Sequence, residues 1–375
     1  MRTESSNPTS GRTVVVVGAG GNIGSHLVSH IARMPGINRI TLIDRDVYEH
    51  SNLNSQDITT GDVGKSKAGV QARRLRRINR ALRVDAIADA VERVPLGKLR
   101  AEVILSCLDS RIARQYVSQY AWRLGVPLID AGVEPGGLLA RINVYVPGAH
   151  NSCLECAWDD RDYDALEVAY PCAGVLSQVH PTNGPSSLGA LAASLQALEC
   201  QKLLTAGIDN IAVNKQVLVD AFRHNHYVTT LRRNPRCRFV DHEVWQIERL
   251  TCSASDLTLA EAYDLGRAST GANGTMSLRI EGRPFVKRLT CLNCRNARLL
   301  LRLECSLGEA QRRCARCGSA MVVTGSDLTE ELEERELKSN ALLRRGLKSF
   351  GVRPGEVFTI SGEHIADGHY ELSAD

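Results

Sequence analysis

A glycine-rich turn between two apolar strands constrains the fold of this chain more than any other feature. Thr13 is followed by four valines, and the chain then reads Gly-Ala-Gly-Gly-Asn-Ile-Gly up to Gly24. A run of β-branched apolar residues predicts a buried parallel strand, and we expect a helix from Ser25 to Met34 after the turn. A second apolar strand ends on Asp44, about twenty residues after the last glycine, as in dinucleotide-binding folds.

This arrangement predicts a nucleotide-binding site. Glycine tolerates positive φ angles and lets backbone N–H groups approach a ligand closely. The start of the following helix then favours a phosphate, because its unpaired N–H groups and its dipole attract anions. A carboxylate at the end of the second strand is placed to accept a hydrogen bond from a ribose hydroxyl. The predicted site residues are Gly18, Gly20, Gly21, Gly24 and Asp44.

Composition narrows the classes of protein that fit. The chain has 375 residues, 43 % of them hydrophobic, and a formal net charge of +4, which by itself does not indicate a nucleic-acid partner. The polar start predicts no signal peptide, and no apolar run approaches the ~20 residues of a membrane span. We therefore expect a soluble cytoplasmic protein without a membrane partner. Its 12 cysteines are then expected to be metal ligands or reactive thiols rather than disulfides.

Alternation of strands and helices continues beyond Asp44. It predicts an α/β fold with a doubly wound, Rossmann-like and mostly parallel sheet. The apolar run from Val103 again ends on a carboxylate, Asp109, where the carboxyl edge of such a sheet binds ligands. Residues 141–146 are expected to form an antiparallel edge strand.

A basic amphipathic helix is predicted from Lys65 to Ala81. Between Lys65 and Arg83 the chain carries eight lysines or arginines and no acidic residue. The simplest interpretation is a solvated helix face, with a stripe that binds RNA or a protein partner as the alternative.

Two Cys-x-x-Cys pairs in the second half predict a zinc ribbon. The pairs are separated by 19 residues, and two such knuckles on adjacent hairpins can present four thiolates to one zinc ion tetrahedrally. The predicted ligands are Cys291, Cys294, Cys314 and Cys317.

A set of motifs in the first half resembles one enzyme family. Gly-x-Gly-Gly-x-x-Gly, Leu-Ile-Asp-x-Asp, Asn-Leu-x-x-Gln, Gly-Lys-Ser-Lys-Ala, Cys-Leu-Asp-Ser-x-x-Ala-Arg and Cys-x-x-Cys occur in this order. Together they resemble the ThiF/MoeB family of adenylating enzymes, which are related to ubiquitin-activating enzymes. The resemblance covers about Arg12 to His242.

The resemblance implies an activity and partners. Such an enzyme uses ATP with Mg²⁺ to adenylate the C-terminal glycine of a ubiquitin-like or sulfur-carrier protein and releases pyrophosphate. It implies a homodimer, and it leaves open a conjugating enzyme or a sulfurtransferase as a further partner.

It also assigns roles to residues. Asp44 corresponds to the ribose-binding acid, Lys67 to the lysine on the phosphates, and Asp109 to the aspartate associated with Mg²⁺. The remaining nucleotide-binding candidates that the matching motifs contain are Asp46, Asn52, Gln56 and Arg114. Lys67 and Asp109 are expected to be catalytic.

One departure affects the phosphate site. Ser55 stands where the family usually has an arginine within Asn-Leu-x-Arg-Gln. A guanidinium at such a site is worth about 3–4 kcal/mol of transition-state stabilisation. We expect a neighbouring arginine (Arg45, Arg73 or Arg74) or a partner protein to replace it, or the activity to be weakened.

The resemblance further implies a zinc site and a nucleophile. Cys153 and Cys156 match the first half of the family's zinc site and Cys237 part of the second half. His242 is the expected fourth ligand, with Cys252 as the alternative. Cys172 matches the position of the thiol that forms a thioester or persulfide in some relatives, although a half-buried structural thiol would also fit.

Three segments are predicted: an adenylation domain over 12–248, a zinc ribbon over 275–325, and a C-terminal helix with short strands over 326–375. The helix is expected to be exposed and to run from Leu328 to Leu347. Three other functions remain open for the chain. It could be a ThiF-like enzyme that acts on tRNA or a peptide, an inactive ThiF-fold scaffold, or an NAD-dependent dehydrogenase.

Overall fold

The fold is taken from a computed structural model of the 375-residue chain. The structure describes residues 11–167, 184–270, 274–337, 340–363 and 366–373. Two compact units make up the chain. The first consists of Met1–Val94 with Leu99–Val244, and the second of Pro95–Lys98 with Trp245–Asp375.

The first unit is an eight-stranded sheet with flanking helices. Its elements in chain order are β1 (Arg12–Val17), α1 (Asn22–Ile31), β2 (Ile37–Ile43), α2 (Lys67–Ile78), β3 (Arg83–Ile87), β4 (Val103–Ser106), α3 (Arg111–Arg123), β5 (Leu128–Glu134), β6 (Leu139–Tyr145), α4 (Asp160–Glu167), α5 (Ser186–Ala206), β7 (Lys215–Asp220) and β8 (Asn225–Thr230).

The order of the strands confirms the predicted mostly parallel sheet. They lie in the order β3-β2-β1-β4-β5-β6-β7-β8. The pairs among β1 to β5 are parallel, and β6, β7 and β8 continue the sheet in antiparallel pairs. The chain leaves β1 toward β2 on one side and returns to β4 on the other, so the strand order reverses between β1 and β4. A crevice forms at such a reversal, outside the carboxyl ends of the strands.

Apolar side chains of the central strands and of α1 and α5 form the core of this unit. Small residues on α5, among them Ala192 and Ala193, are fully buried and allow that helix to lie close to the sheet. The buried Gln196 amide on α5 donates to the carbonyl oxygens of Ser106 and Ile129, at 3.0 and 2.7 Å. These bonds fix the helix over the end of β4 and the start of β5.

The expectation for residues 141–146 was half right. The strand β6 is antiparallel to its neighbours, but it lies inside the sheet between β5 and β7, and the edges are β3 and β8. The hairpin of β7 and β8 extends the sheet by two strands beyond β6. Alternation within β6 alone does not reveal this extension, since an antiparallel strand looks the same with one neighbour or two.

The second unit contains two smaller sheets. Its elements are β9 (Ile247–Arg249), α6 (Leu259–Thr270), β10 (Met276–Arg279), β11 (Phe285–Cys291), β12 (Ala297–Leu303), β13 (Met321–Val322), β14 (Leu328–Thr329), β15 (Glu331–Glu333), α7 (Asn340–Leu343), β16 (Val357–Gly362) and β17 (Gly368–Glu371). One sheet has the order β15-β10-β16-β17-β9, and the other consists of β12-β11-β13 with β14 paired to β11.

The exposed helix predicted from Leu328 to Leu347 is wrong. The described residues of this run form β14, β15 and the short α7 instead. Leu332 is 2 % exposed and pairs with Leu278 across the β10–β15 ladder. The Tyr263 hydroxyl also donates to the Leu332 carbonyl oxygen at 2.8 Å. Burial of this leucine in a sheet outweighs the helix propensity of the surrounding glutamates, because propensity amounts to only tenths of a kcal/mol per residue.

None of the helices in the described part of the chain is long and apolar enough to cross a membrane.

The surroundings of two helical glycines predict opposite effects of an alanine substitution on stability. An added Cβ at Gly24 of α1 would lie 2.1 Å from the Gly18 carbonyl oxygen, whereas at Gly69 of α2 its nearest neighbour would be 3.7 Å away. We expect Gly24→Ala to destabilise the first unit by about 1–3 kcal/mol, because backbone atoms must move. Gly69→Ala should be neutral or stabilising by up to about 1 kcal/mol. Urea unfolding followed by circular dichroism measures both, and equal effects would contradict the proposed close approach.

Candidate functional site

The turn from β1 into α1 brings the backbone close to the end of β4. Gly18 has a φ of 76°, and a Cβ there would lie 2.7 Å from the Cys107 carbonyl oxygen. Gly21 is the N-cap residue of α1, and no side chain caps the helix. The first N–H groups of a helix have no partner within it. The glycine turn therefore leaves the positive end of α1 open to an anion.

A cleft of about 500 Å³ lies at this turn, at the carboxyl ends of β1, β2 and β4. It brings together most of the nucleotide-binding candidates of the sequence: Gly18, Gly21, Asp44, Asp46, Asn52, Gln56, Lys67, Asp109 and Arg114 all line it. Gly20 and Gly24 belong to the turn itself and approach neighbouring atoms too closely for a side chain, since an added Cβ would meet the Lys67 Cβ at 2.4 Å and the Gly18 oxygen at 2.1 Å.

Both carboxylate oxygens of Asp44 are fixed by the backbone. Oδ2 accepts the Gly20 N–H at 2.8 Å and Oδ1 accepts the Asp46 N–H at 3.0 Å. Burial raises the pKa of Asp44, and the two backbone hydrogen bonds oppose that rise. The side chain is thus held in one orientation, with lone pairs left to accept a hydroxyl of a bound ligand.

Lys67 is a buried cation in the wall of the cleft. Its side chain is 9 % exposed, and its Nζ lies 3.5 Å from Asp46 Oδ2 and 5.6 Å from the centre of the Tyr48 ring. Lys67 is the first residue of α2, whose N-cap is Ser66. The ion pair with Asp46 holds the ammonium group in the wall of the cleft.

Asp109 is exposed at the cleft and stays free of ion pairs within the described part of the chain. The next residue, Ser110, caps α3, and its Oγ accepts the Ala113 N–H at 3.4 Å. The serine at this position therefore has a structural role, and it leaves the neighbouring carboxylate available.

Arg114 lines the cleft, but its guanidinium is committed to protein groups. Nη1 binds Asp130 Oδ2 at 2.5 Å, and Nη2 donates to the Ala131 oxygen at 3.1 Å and to the Leu108 oxygen. Burial lowers the pKa of Arg114, and the Asp130 charge opposes this. The bond to Leu108 holds the residue that precedes Asp109, so Arg114 positions that carboxylate.

The polar loop before α2 supplies three more lining residues. Asn52 Oδ1 accepts the Glu49 N–H at 2.9 Å, and Ser55, which replaces the family arginine, is 3 % exposed. Gln56 Oε1 is buried and has no hydrogen-bond partner among the described residues. An unsatisfied buried oxygen costs about 1–3 kcal/mol, which a bound ligand or water with a donor would recover.

One of the three replacement arginines considered above reaches the cleft. Arg45 lines it, with a side chain 66 % exposed and its Nε 3.6 Å from Asp46 Oδ1. Arg74 is instead ion-paired to Asp57, and Arg73 is exposed on α2 outside the cleft lining.

Asn22 and Cys107 are among the lining residues that the sequence analysis missed. Asn22, the first residue of α1, donates from Nδ2 to the Gly184 oxygen at 2.9 Å, while its Oδ1 is buried and unpaired among the described residues. Its position inside the glycine motif was the available signal. Cys107 is buried, burial raises the pKa of its thiol, and its Sγ lies 3.3 Å from Gln196 Oε1, so it is an unreactive wall residue. Cys172 lies outside the described residues.

Four predicted zinc ligands of the first unit come together. Cys153, Cys156, Cys237 and His242 are buried, with their ligand atoms within 4.8 Å of one another. Cys153 Sγ is 3.7 Å from the Sγ atoms of both other cysteines and 3.2 Å from His242 Nε2. A tetrahedron with arms of about 2.3 Å has edges of about 3.8 Å, so the donor set fits a zinc ion. Cys252, the alternative fourth ligand, is not part of this cluster.

The two Cys-x-x-Cys pairs of the second unit form a similar cluster of four cysteines. Cys291 Sγ lies 3.5 Å from Cys317 Sγ, and Cys294 Sγ lies 3.6 Å from Cys314 Sγ. In each knuckle the first cysteine's oxygen accepts an N–H four residues later, from Arg295 or from Gly318. Four thiolates at these distances fit zinc in the same way.

The two clusters predict two zinc ions per chain. Cys237→Ser and Cys314→Ser should each lower the zinc content to about one ion, because each removes a ligand from a four-coordinate site. The matched control is Cys252→Ser, which should retain both ions. Elemental analysis after dialysis measures this, and a full zinc content in Cys237→Ser would contradict the first site.

Comparisons with known proteins agree with this geometry. The ThiF family matches residues 9–239. The sulfur carrier protein adenylyltransferase of Thermus thermophilus is 31 % identical over 240 residues, which cover 63 % of this chain and 84 % of that protein. The sulfur carrier protein ThiS adenylyltransferase of Escherichia coli is 30 % identical over 204 residues, which cover 53 % of this chain and 74 % of that protein.

A solved structure is also similar. The crystal structure of E. coli MccB with succinimide superposes with a TM-score of 0.50 at 27 % identity, covering 61 % of this chain and 66 % of that one, just under two thirds of its length. The family match includes the glycine turn, every lining residue of the cleft and the cysteine pair at 153 and 156. Because it spans more than half of the sequence, the chain belongs to the ThiF family.

Proposed function

We propose that the protein activates the C-terminal glycine of a ubiquitin-like or sulfur-carrier protein by ATP-dependent adenylation. The observation that carries this proposal is the arrangement of Lys67, Asp44 and Asp109 around the uncapped start of α1 in one cleft. The names of the similar adenylyltransferases support the same reaction class. Oxidoreductase chemistry with NAD would leave Lys67 and Asp109 without a role.

The residues of the cleft fit a nucleotide. Asp44 offers oriented acceptors for ribose hydroxyls, and the start of α1 offers unpaired N–H groups for phosphate. Gln56 Oε1 and Asn22 Oδ1 are buried without a hydrogen-bond partner among the described residues, so they can accept from an amino group of a nucleotide or from a water molecule. ATP supplies the adenylyl group and the pyrophosphate leaving group.

In the proposed reaction, a carboxylate oxygen of the terminal glycine bonds to the α-phosphorus while the bond to the bridging oxygen of pyrophosphate breaks. Lys67 is a compact cation that can neutralise the charge developing on the phosphoryl oxygens. Its ion pair with Asp46 and its burial keep the ammonium group in place before the substrate binds.

The charge of the cleft supports a requirement for Mg²⁺. Its lining contains six carboxylates but three cations, one of which, Arg114, is neutralised by Asp130. A triphosphate would meet net repulsion there without a divalent cation. Asp109 is exposed in the cleft and forms no ion pair or side-chain hydrogen bond among the described residues, and hard Mg²⁺ prefers such carboxylate oxygens. We assign the metal to Asp109, where it would lower the negative charge of the phosphates.

Further parts of the proposal follow from the sequence analysis. We propose an adenylation domain over 12–248, a zinc ribbon over 275–325 and a C-terminal segment over 326–375. We also propose a cytoplasmic homodimer, with a Cys172 thioester and a conjugating enzyme or sulfurtransferase as later steps.

Asp109→Ala is expected to reduce carrier-dependent ATP–pyrophosphate exchange by about 100-fold or more, because a cleft rich in carboxylates loses its metal ligand. The matched control is Asp209→Ala, which removes an exposed carboxylate of the same unit outside the cleft lining. The assay uses a panel of ubiquitin-like proteins that end in glycine.

The outcomes of this assay separate the alternatives. Exchange that needs a peptide or tRNA instead of a carrier would assign the enzyme to that substrate. No exchange together with no thermal stabilisation by ATP and Mg²⁺ would refute the enzyme and leave an inactive scaffold. Quenching or enhancement of NADH fluorescence on titration would favour the dehydrogenase.

Arg45 is proposed to replace the missing family arginine in cis. Arg45→Ala should lower the rate of exchange by about tenfold or more. The loss should stay below the about 100-fold expected for removal of a buried hydrogen-bond donor, because solvent screens this exposed side chain. Arg73→Ala is the control, since that arginine lies on α2 outside the cleft lining. Equal rates in the two variants would contradict the assignment and favour a partner protein as the source of the cation.

A further inference from the structure

A serine, a histidine and an aspartate meet beside the cleft. His26 Nε2 lies 3.0 Å from Ser186 Oγ, and His26 Nδ1 lies 3.9 Å from Asp57 Oδ2. The three residues come from three segments of the first unit: α1, the loop before α2, and the start of α5. None of them lines the nucleotide cleft, so the adenylation chemistry does not explain them.

We propose that Ser186 is a second nucleophile of the protein, with His26 as its general base and Asp57 orienting the imidazole. Its substrate class is an activated acyl group, here the acyl adenylate of the proposed function, on which this step rests. The Ser186 oxygen bonds to the acyl carbon, the bond from that carbon to the phosphate oxygen breaks, and AMP leaves. The serine proton passes to His26 Nε2, and the product is an ester on the enzyme.

His26 is suited to accept this proton. Its side chain is 17 % exposed, and burial lowers the pKa of His26 below its ordinary value. Among the charged groups around it, Arg74 of α2 and His30 of α1 lower the pKa further, and Asp57 opposes them. The imidazole is therefore neutral at neutral pH, as a general base must be.

Asp57 is held so that its carboxylate faces the imidazole. Its N–H donates to Ser25 Oγ at 3.0 Å, its carbonyl oxygen accepts from Arg74 at 3.0 Å, and its carboxylate pairs with the same arginine. A carboxylate on the Nδ1 side favours the tautomer with the proton on Nδ1. Nε2 is then free to accept the hydroxyl proton of Ser186. The 3.9 Å separation is longer than a hydrogen bond, and the same Oδ2 accepts from Arg74, so Asp57 acts on the imidazole through its charge.

The position of Ser186 favours an anionic intermediate. It is the first residue of α5, a helix of 21 residues whose start carries no side-chain cap. Unpaired N–H groups and the positive end of the helix dipole stabilise negative charge that develops there. Ser186 is also partly exposed, so a substrate can reach it.

Asn22 connects this group to the cleft. Asn22 lines the cleft, and its Nδ2 donates to the oxygen of Gly184, two residues before Ser186. His26 lies on the same helix four residues after Asn22, a rise of about 6 Å. The proposed base thus lies about one helical turn from a residue in the cleft wall, and Ser186 Oγ lies 3.0 Å from its imidazole.

Labelling with a fluorophosphonate probe tests the nucleophile without any carrier, since a serine activated in this way displaces fluoride from the probe. Ser186→Ala should abolish labelling of the full-length protein, while the matched control Ser187→Ala should label like the wild type. His26→Gln keeps an acceptor near Ser186 but no general base, so labelling should slow by about 100-fold. In the wild type, labelling should fall as the pH drops through the pKa of His26, and this dependence should be absent in His26→Gln.

The opposite results would overturn the proposal. If the wild type is not labelled, or if Ser186→Ala is labelled equally well, Ser186 is only a residue at the start of a helix. Labelling that His26→Gln leaves unchanged would remove His26 from the role of base.

A second experiment tests the acyl transfer itself. In a Cys172→Ala background, carrier and ATP should give an adduct that survives dithiothreitol, is cleaved by hydroxylamine and is absent from the additional Ser186→Ala variant. Exchange without this adduct would refute the ester step. Failure of pyrophosphate exchange with labelling intact would refute the proposed adenylation instead, so the two failures are distinguishable.

Discussion

The close approach of the β1–α1 turn to the end of β4 is the constraint on which the first unit depends. At Gly18 the chain turns with a positive φ against the Cys107 carbonyl, and at Gly24 the helix lies against the Gly18 carbonyl. A side chain at either position would separate the strand from the helix or the helix from the sheet. The same approach leaves the start of α1 uncapped at the point where the strand order reverses. Packing and ligand binding therefore rest on the same atoms.

Two of the positively charged side chains in the cleft form ion pairs with carboxylates of the protein itself. Arg114 is held by Asp130 and by two carbonyl oxygens, and Lys67 is paired with Asp46. These ion pairs set the geometry of the cleft before a ligand arrives, which is what electrostatic preorganisation requires. They also leave a net negative lining, so the polyphosphate that we propose as ligand would draw its affinity from the helix N–H groups and from the proposed divalent cation.

The two cysteine clusters replace apolar packing where the chain has little of it. The first joins residues more than eighty positions apart, and its local core consists of Trp122, Phe239 and three of its own cysteines. The second lies in a sheet with a six-residue core that includes two of its ligands. Zinc binding to small sites of this kind contributes about 10–16 kcal/mol of folding free energy in isolated peptides. Metal coordination can thus stabilise loops and short hairpins whose side chains bury too little apolar area to be stable by packing alone.

The sequence by itself determined the parallel half of the sheet, the glycine turn, the carboxylates at the strand ends and the spacing of the cysteine pairs. Each of these follows from a local pattern: a period of apolar residues, a residue type that tolerates a special φ angle, or a short separation between ligands. Only the tertiary structure decided that β6 lies inside the sheet, that Leu332 belongs to a strand, and that Arg45 rather than Arg73 or Arg74 reaches the cleft. It also decided that His26, Asp57 and Ser186 meet. These outcomes depend on which segments pack together, and contacts between residues far apart in the chain leave no periodic signal in one sequence.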